Sequence, residues 1–267
     1  MPMTTVEFPT SGADAQARRS RLGSQGAFVG GGTALQLAWD GTPPSLTLLD
    51  VTQLPAAQGI ALADGGLRMG AAMRLEALRR DALVGQHAPL LTAACNAIAA
   101  LPVRHLATLG GNVAWGFGDT LPVLLALGAC AENVDGRCEP LQDWLERADG
   151  TLLIALRLDV AVPPRVTFFE KVGHRAAFSP SRISIALSAG QDAQERLYGV
   201  QVAVAGAGLR ARRLPQVEQA LAGVRLTDGG GPRLRQACAI DLAQAPALAR
   251  VAAAVITGRL KGADHGE

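Results

Sequence analysis

The chain has 267 residues, 49% of them hydrophobic and 18% charged. That is enough apolar material for one large domain or two ordinary ones, and it excludes an intrinsically disordered protein. The formal net charge of +2 is too small to imply a nucleic-acid or membrane partner, and like charges fall in short groups such as Arg212-Arg213, read as solvated surface. The four cysteines, Cys95, Cys130, Cys138 and Cys238, form no C-x-x-C, so neither zinc-ligand nor iron–sulfur spacing is present. Free thiols in a reducing compartment are expected. The start, Met1-Pro2-Met3-Thr4-Thr5, has no basic-then-apolar pattern of a secretory signal, and the apolar run Leu121 to Ala131 is too short to span a bilayer. A soluble, cytoplasmic protein is expected.

In chain order, residues 9 to 26 predict one surface helix, broken near Gly23 and Gly26. Phe28-Val29-Gly30-Gly31-Gly32-Thr33-Ala34-Leu35 then places three glycines between a short apolar run and a helix over Thr33 to Ala38. Glycine permits positive φ and close backbone approach, and a helix N-terminus points N–H groups at an anion. The same residues also suit a tight turn between strand and helix. Asp40-Gly41 and Pro43-Pro44 end that helix. Ser45 to Val51 predicts a strand, and Gly59 to Ala63 with Leu67 to Ala72 predicts a hairpin about Asp64-Gly65. Arg74 to Val84 predicts one helix, and His87 to Leu101 a second, stopped by Pro102. A second glycine loop follows at Ala107-Thr108-Leu109-Gly110-Gly111-Asn112-Val113, and Asp119 stands at the N-cap position of an apolar helix. Pro140 to Arg147 predicts a short helix and Thr151 to Val160 a strand.

Pro163-Pro164 is the linker candidate, since the pair continues neither a helix nor a central strand. Beyond it, Ile183, Ile185 and Leu187 alternate with Ser184, Ala186 and Ser188, and Val200, Val202 and Val204 alternate likewise. Both patterns predict half-buried strands. Helices are expected over Pro215 to Ala222, Arg233 to Cys238 and Pro246 to Ile256, with Asp228-Gly229-Gly230-Gly231 an exposed loop. Gly206-Ala207-Gly208-Leu209-Arg210-Ala211 imitates a dinucleotide fingerprint, but Pro215 cuts the helix that should follow, so a β-turn into a basic segment is expected.

No Lys follows either glycine loop, so neither is a Walker loop. His87, His105, His174 and His265 do not fall at catalytic or metal spacing, and no carboxylate pair stands out. The chemistry is therefore expected to come from a cofactor, and two glycine loops in one lobe suit a dinucleotide.

Together, Gly30-Gly31-Gly32-Thr33-Ala34-Leu35, Leu48-Leu49-Asp50, Leu67-Arg68-Met69-Gly70-Ala71 and Val103-Arg104-His105-Leu106-Ala107-Thr108-Leu109-Gly110-Gly111-Asn112-Val113 resemble, in order, the FAD-binding medium subunit of the molybdenum hydroxylases. The run Asp119 to Ala129 and the segment Phe169 to Arg175 fit as well. That family, with its PCMH-type FAD domain, includes xanthine dehydrogenase, carbon monoxide dehydrogenase and 4-hydroxybenzoyl-CoA reductase.

The resemblance implies an α+β chain. A two-lobed α/β FAD-binding domain would occupy residues 1–162, with lobes at about 1–55 and 56–162, and a smaller domain with a three-stranded antiparallel sheet and helices would occupy 163–267. It implies that Phe28, Val29, Gly30, Gly31, Gly32, Thr33, Ala34 and Leu35 wrap the FAD pyrophosphate through main-chain N–H groups. Thr108, Leu109, Gly110, Gly111 and Asn112 would do the same, helped by the Thr108 hydroxyl. Ile98 and Leu153 would pack on the cofactor, Asp119 would accept hydrogen bonds from FAD hydroxyls, and Lys171 would stabilise reduced, anionic flavin. The N-cap and an ordinary exposed lysine are the plain alternatives for Asp119 and Lys171. No catalytic or metal residue is assigned. The implied partners are a large molybdopterin-binding subunit and a small [2Fe–2S] subunit, with electrons passing through FAD to NAD or another acceptor.

The sequence departs from the family pattern in places. Ala34 replaces a common Asp or Ser, and His105 a frequent Asn. The stretch between Cys138 and Thr151 lacks an F-x-x-G segment, and no D-x-R-G-S-x-x-Y-[KR] motif occurs near the C-terminus. A self-contained flavin oxidoreductase, or an assembly subunit that has lost FAD, are the alternatives.

Overall fold

The computed structural model describes residues 3–39, 44–63, 65–175 and 180–263. Asp40, Gly41 and Pro43 of the expected helix stop, Asp64 of the hairpin turn and His265 lie outside them. The chain divides into two units: Met1–Gly116 with Ala129–Ala161, and Phe117–Gly128 with Val162–Glu267.

The first unit opens with strand β1 (Thr5–Glu7), helix α1 (Gly12–Leu22), strand β2 (Gly26–Val29), helix α2 (Thr33–Ala38) and strand β3 (Thr47–Asp50). Ser11 caps α1 by accepting from the Asp14 N–H at 3.1 Å. β3 lies between β1 and β2, parallel to both, with Phe28 opposite Leu49 and Val29 opposite Asp50. Strand–helix–strand connections make this sheet parallel, so β2 and β3 end at the same edge, where the first glycine loop emerges. Ala15, Leu54, Ala57, Ala72, Leu152 and Ile154 form a small core cluster in this unit.

Strands β4 (Ile60–Ala63) and β5 (Gly66–Gly70) pair as the expected hairpin. The single helix predicted over Arg74 to Val84 is two, α3 (Leu75–Arg80) and α4 (Ala82–His87). Asp81 divides them, because its extended backbone lets its carboxylate cap the Leu83 and Val84 N–H groups at 2.9 and 3.1 Å. The next predicted helix is also divided, into α5 (Pro89–Ala97) and α6 (Leu101–Leu106). Pro102 sits in the first turn of α6, where its missing N–H is harmless, so it starts a helix instead of stopping one. Helix α7 (Leu109–Trp115) follows, and helix α8 (Thr120–Ala126) belongs to the second unit. Strands β6 (Cys130–Glu132) and β7 (Cys138–Pro140), helix α9 (Leu141–Arg147) and strand β8 (Ala155–Asp159) complete the first unit. Its second sheet runs β4-β5-β8-β6-β7, antiparallel throughout.

The second unit holds strands β9 (Val166–Gly173), β10 (Ser181–Gln191), β11 (Leu197–Gly206) and β12 (Leu209–Arg213), then helices α10 (Pro215–Leu221), α11 (Gly231–Asp241) and α12 (Pro246–Ala263). Its antiparallel sheet has four strands in the order β12-β11-β10-β9. The fourth is the basic segment after Gly206-Ala207-Gly208, which turns back on β11 instead of leaving into solvent. Ile183, Ile185, Leu187, Val202 and Val204 face a core built with Leu214 just before α10, Val217 and Leu221 of α10, Leu234 of α11 and Ile256 and Leu260 of α12.

The opposite face, expected to meet water, is buried too: Ser184 is 0%, Ala186 0% and Ser188 5% exposed. Helix α8, itself buried at every residue, packs on β10 and β11. Small side chains at 184, 186, 188, 203 and 205 let the helix come close, and the Ser188 hydroxyl finds a partner in the Ala126 carbonyl. Asp228 to Gly231 is likewise no open loop. Gly229 has φ +57 and is buried under α12, where a Cβ would lie 2.8 Å from Lys261 Cε.

All four cysteines are free. Burial pushes the thiols of Cys95 and Cys238 up to about 12. In native protein at mildly alkaline pH, an aromatic disulfide reagent is expected to titrate exposed Cys138, while Cys95 and Cys238 react only after unfolding.

Candidate cofactor site

The two glycine loops meet in the first unit. Gly30 faces Thr108, so that a Cβ there would overlap the Thr108 hydroxyl, and a Cβ on Gly31 would overlap the Leu106 carbonyl. That carbonyl also accepts a hydrogen bond from Arg74 Nη1, and α2 packs near α7. Gly110 rests on the turn after β5, where its Cβ would lie 2.8 Å from Ala71 Cβ. Gly31 is therefore a glycine because backbone meets backbone there, Gly110 because it rests on the Cβ and carbonyl of Ala71, and Gly30 because the Thr108 side chain occupies the place of its Cβ. Gly32 is different: it has φ +70, a Cβ there would make only ordinary contacts with Val29 and Gln36, and it caps α2 in the left-handed region.

The loops differ in what they leave free. In the second loop the Leu109 N–H donates to the Met73 carbonyl at 2.9 Å and the Gly110 N–H to the Ala71 carbonyl at 2.7 Å. The Gly111 N–H donates to Thr108 Oγ1 at 3.1 Å, and the Asn112 N–H to the Thr108 carbonyl at 2.9 Å. These amides, expected from the resemblance to wrap a pyrophosphate, are committed to the protein itself. Thr108, buried at 2% exposure, still has a hydroxyl proton to donate. In the first loop, among the described residues, no loop or cap hydrogen bond uses the N–H groups of Gly30, Gly31, Gly32, Thr33 or Ala34. Those donors sit at the edge where β2 ends and α2 begins, and they suit a diphosphate. The residues present thus fit the cofactor expected.

Phe28, Val29, Thr33, Ala34 and Leu35 are half-buried around this loop. Ile98 is buried at the end of α5, where its carbonyl accepts from Arg104 Nη1 at 3.0 Å. Leu153 is buried beside Ile154, whose carbonyl accepts from Ala71, the residue whose own carbonyl holds Gly110.

Asp119 and Lys171 belong to the second unit, and the structure brings them together. Lys171 Nζ donates to Asp119 Oδ2 at 2.8 Å, with side chains 15% and 11% exposed. Asp119 occupies the N-cap position of α8 but makes no side-chain cap bond. Its other oxygen, Oδ1, instead accepts from the hydroxyl of Ser184 on β10 at 2.6 Å. Lys171 is thus no exposed lysine. Sequence reasoning missed Ser184, Arg74 and Arg104. The available signal for Ser184 was a hydroxyl on a strand face of small residues.

An open depression of about 340 Å³ in the second unit, lined by Glu170, Ala254, Val255, Gly258 and Arg259, contains none of the predicted residues. Among the described residues no group of three or more His, Cys, Asp or Glu could hold a metal ion, and no helix is long and apolar enough to cross a membrane.

The fold is shared with chains of solved carbon monoxide dehydrogenase and quinoline 2-oxidoreductase structures. The chain superposes on carbon monoxide dehydrogenase from Hydrogenophaga pseudoflava, a form lacking the Mo-pyranopterin moiety, with a TM-score of 0.82 and 21% identity over 97% of this chain and 95% of that one. Quinoline 2-oxidoreductase from Pseudomonas putida 86 gives 0.75 and 20% over 97% and 96%. The xanthine dehydrogenase FAD-binding subunit of Escherichia coli O157:H7 is 40% identical over 67 residues, so the match spans 25% of this chain and only 23% of that relative's length. Residues 2–162 match the family model described as the FAD binding domain in molybdopterin dehydrogenase. The chain belongs to that family of FAD-binding oxidoreductase domains.

Proposed function

We propose that this chain is the electron-transfer flavoprotein subunit of a molybdenum hydroxylase complex. The observation that carries the reading is the closure of two distant glycine loops on each other, with the first loop's amides left available to an anion. Gly30 to Ala34 would hold the FAD diphosphate by main-chain N–H groups, with the Thr108 hydroxyl beside them. Ile98 and Leu153 would offer apolar contact. In the second unit the Asp119–Lys171 pair is the candidate for the polar and cationic contacts with the cofactor. FAD, when bound, supplies the exchange between one-electron donors and a two-electron acceptor.

Cysteine ligand spacing is lacking, so [2Fe–2S] clusters would lie on a small partner subunit and molybdopterin on a large one. The acceptor would be NAD or another electron carrier, and the compartment the cytoplasm. The small net charge and the short like-charge groups of the sequence argue against a nucleic-acid partner.

The test is equilibrium binding. Purified from cells supplied with riboflavin, the chain is expected to carry FAD, visible by its absorbance bands and released on denaturation. A folded chain that neither retains FAD nor takes it up on titration would overturn the reading.

A further inference from the structure

The bend between α5 and α6 combines three features that packing of those helices does not require. Ala99 has φ +43, a left-handed conformation that a side chain with a Cβ disfavours. Arg104 Nη1 donates to the carbonyls of both Ile98 and Ala99, each at 3.0 Å. Arg104 Nε donates to Glu76 Oε2 at 3.0 Å, and this pair is buried, with side chains 12% and 2% exposed. The Arg79 guanidinium first, and Arg104 next, hold the Glu76 carboxyl well below the usual carboxylate range.

Helix α6 carries Arg104 near its middle and delivers Leu106 and Thr108 to the first glycine loop. Its start is therefore fixed by the bend that Arg104 closes, and its end sets where the loops meet. Ile98, an expected cofactor contact, sits on the same bend.

We propose that Arg104 is a positioning residue for the cofactor site. By bridging two consecutive carbonyls it holds Ala99 in the left-handed region, and so fixes Ile98 and the Leu106–Thr108 segment against the first loop. The inference rests on the FAD reading above. The rival role for Arg104 is neutralisation of buried Glu76, a task shared with Arg79 and Arg80.

Rescue separates the two roles. FAD affinity by fluorescence titration, the visible circular dichroism of bound flavin and the urea midpoint are measured on the full chain. Arg104→Met is expected to weaken FAD binding about tenfold or more. Adding Ala99→Gly should recover most of that affinity, because glycine takes φ +43 freely. Adding Glu76→Gln instead should raise the urea midpoint but not the affinity. Ala99→Val, which leaves Arg104 and Glu76 in place, should weaken binding and alter the flavin dichroism, and it keeps the test open if Arg104→Met does not fold.

Wild-type affinity in Arg104→Met or Ala99→Val overturns the inference. So does rescue by Glu76→Gln in place of Ala99→Gly. A wild-type chain that binds no FAD fails the underlying reading, an outcome distinct from variants that depart from expectation while the wild type binds.

Discussion

Gly31→Ala is expected to abolish retention of FAD and to destabilise the first unit by about 3 kcal/mol. The added Cβ meets the carbonyl of Leu106, a backbone atom that no rotamer change can move aside. That carbonyl is also held by Arg74, so relief requires the second loop to withdraw from the first. Withdrawal separates the Thr108 hydroxyl from the amides of Gly30 to Ala34. Gly32→Ala is the control. It strains a residue at φ +70 and costs about 1 kcal/mol, but it meets only Val29 and Gln36 at ordinary van der Waals distance and leaves the loops together. Urea denaturation and flavin absorbance of both variants check the contrast. Equal effects of the two would mean that loop closure is not what the triplet provides.

The second large effect lies in the second unit. Asp119→Ala removes the acceptor of both the Lys171 ammonium and the Ser184 hydroxyl. Breaking one side of a buried ion pair is expected to cost about 3 kcal/mol, at the lower end for such pairs because the side chains keep some exposure. Lys171→Met should cost a similar amount, about 3 kcal/mol, by leaving the carboxylate to Ser184 alone. The double replacement Asp119→Leu with Lys171→Met should cost less than either single change, since it leaves no charge behind. Stability is read by urea midpoint and the cofactor role by FAD titration. A double variant that regains stability but binds FAD weakly supports contacts with the cofactor. One that regains both assigns the pair to the fold.

The parts of this architecture legible in the sequence are those written in local chemistry. The strand before the first glycine loop, α2 over Thr33 to Ala38 and the β4–β5 hairpin follow from glycine placement and alternation over a few residues. That the chain carries two glycine loops in its first half was also legible. What each glycine touches was not, because the contacts of Gly31 with Leu106 and of Gly110 with Ala71 are between backbones distant in the chain, which leave no side-chain pattern. The helix divisions at Asp81 and at Ala99 were hidden behind continuous apolar periodicity. The covered Ser184–Ser188 face was misread because period two reports which residues are small and polar, not whether a helix lies over them. The Asp119–Lys171–Ser184 cluster joins three segments, so no single stretch announces it.

The placement of α8 bears on how the polypeptide is made. Its seven residues emerge from the ribosome within the stretch that builds the first unit, before any of β9 to β12 exists. Until that sheet is synthesised, a helix buried at every position has nothing to shelter it, and it is a target for chaperone capture or mispairing. Vectorial synthesis thus makes the second unit's completion the step that removes this fully buried helix from solvent. Slow elongation through residues 129–165 would prolong that exposure.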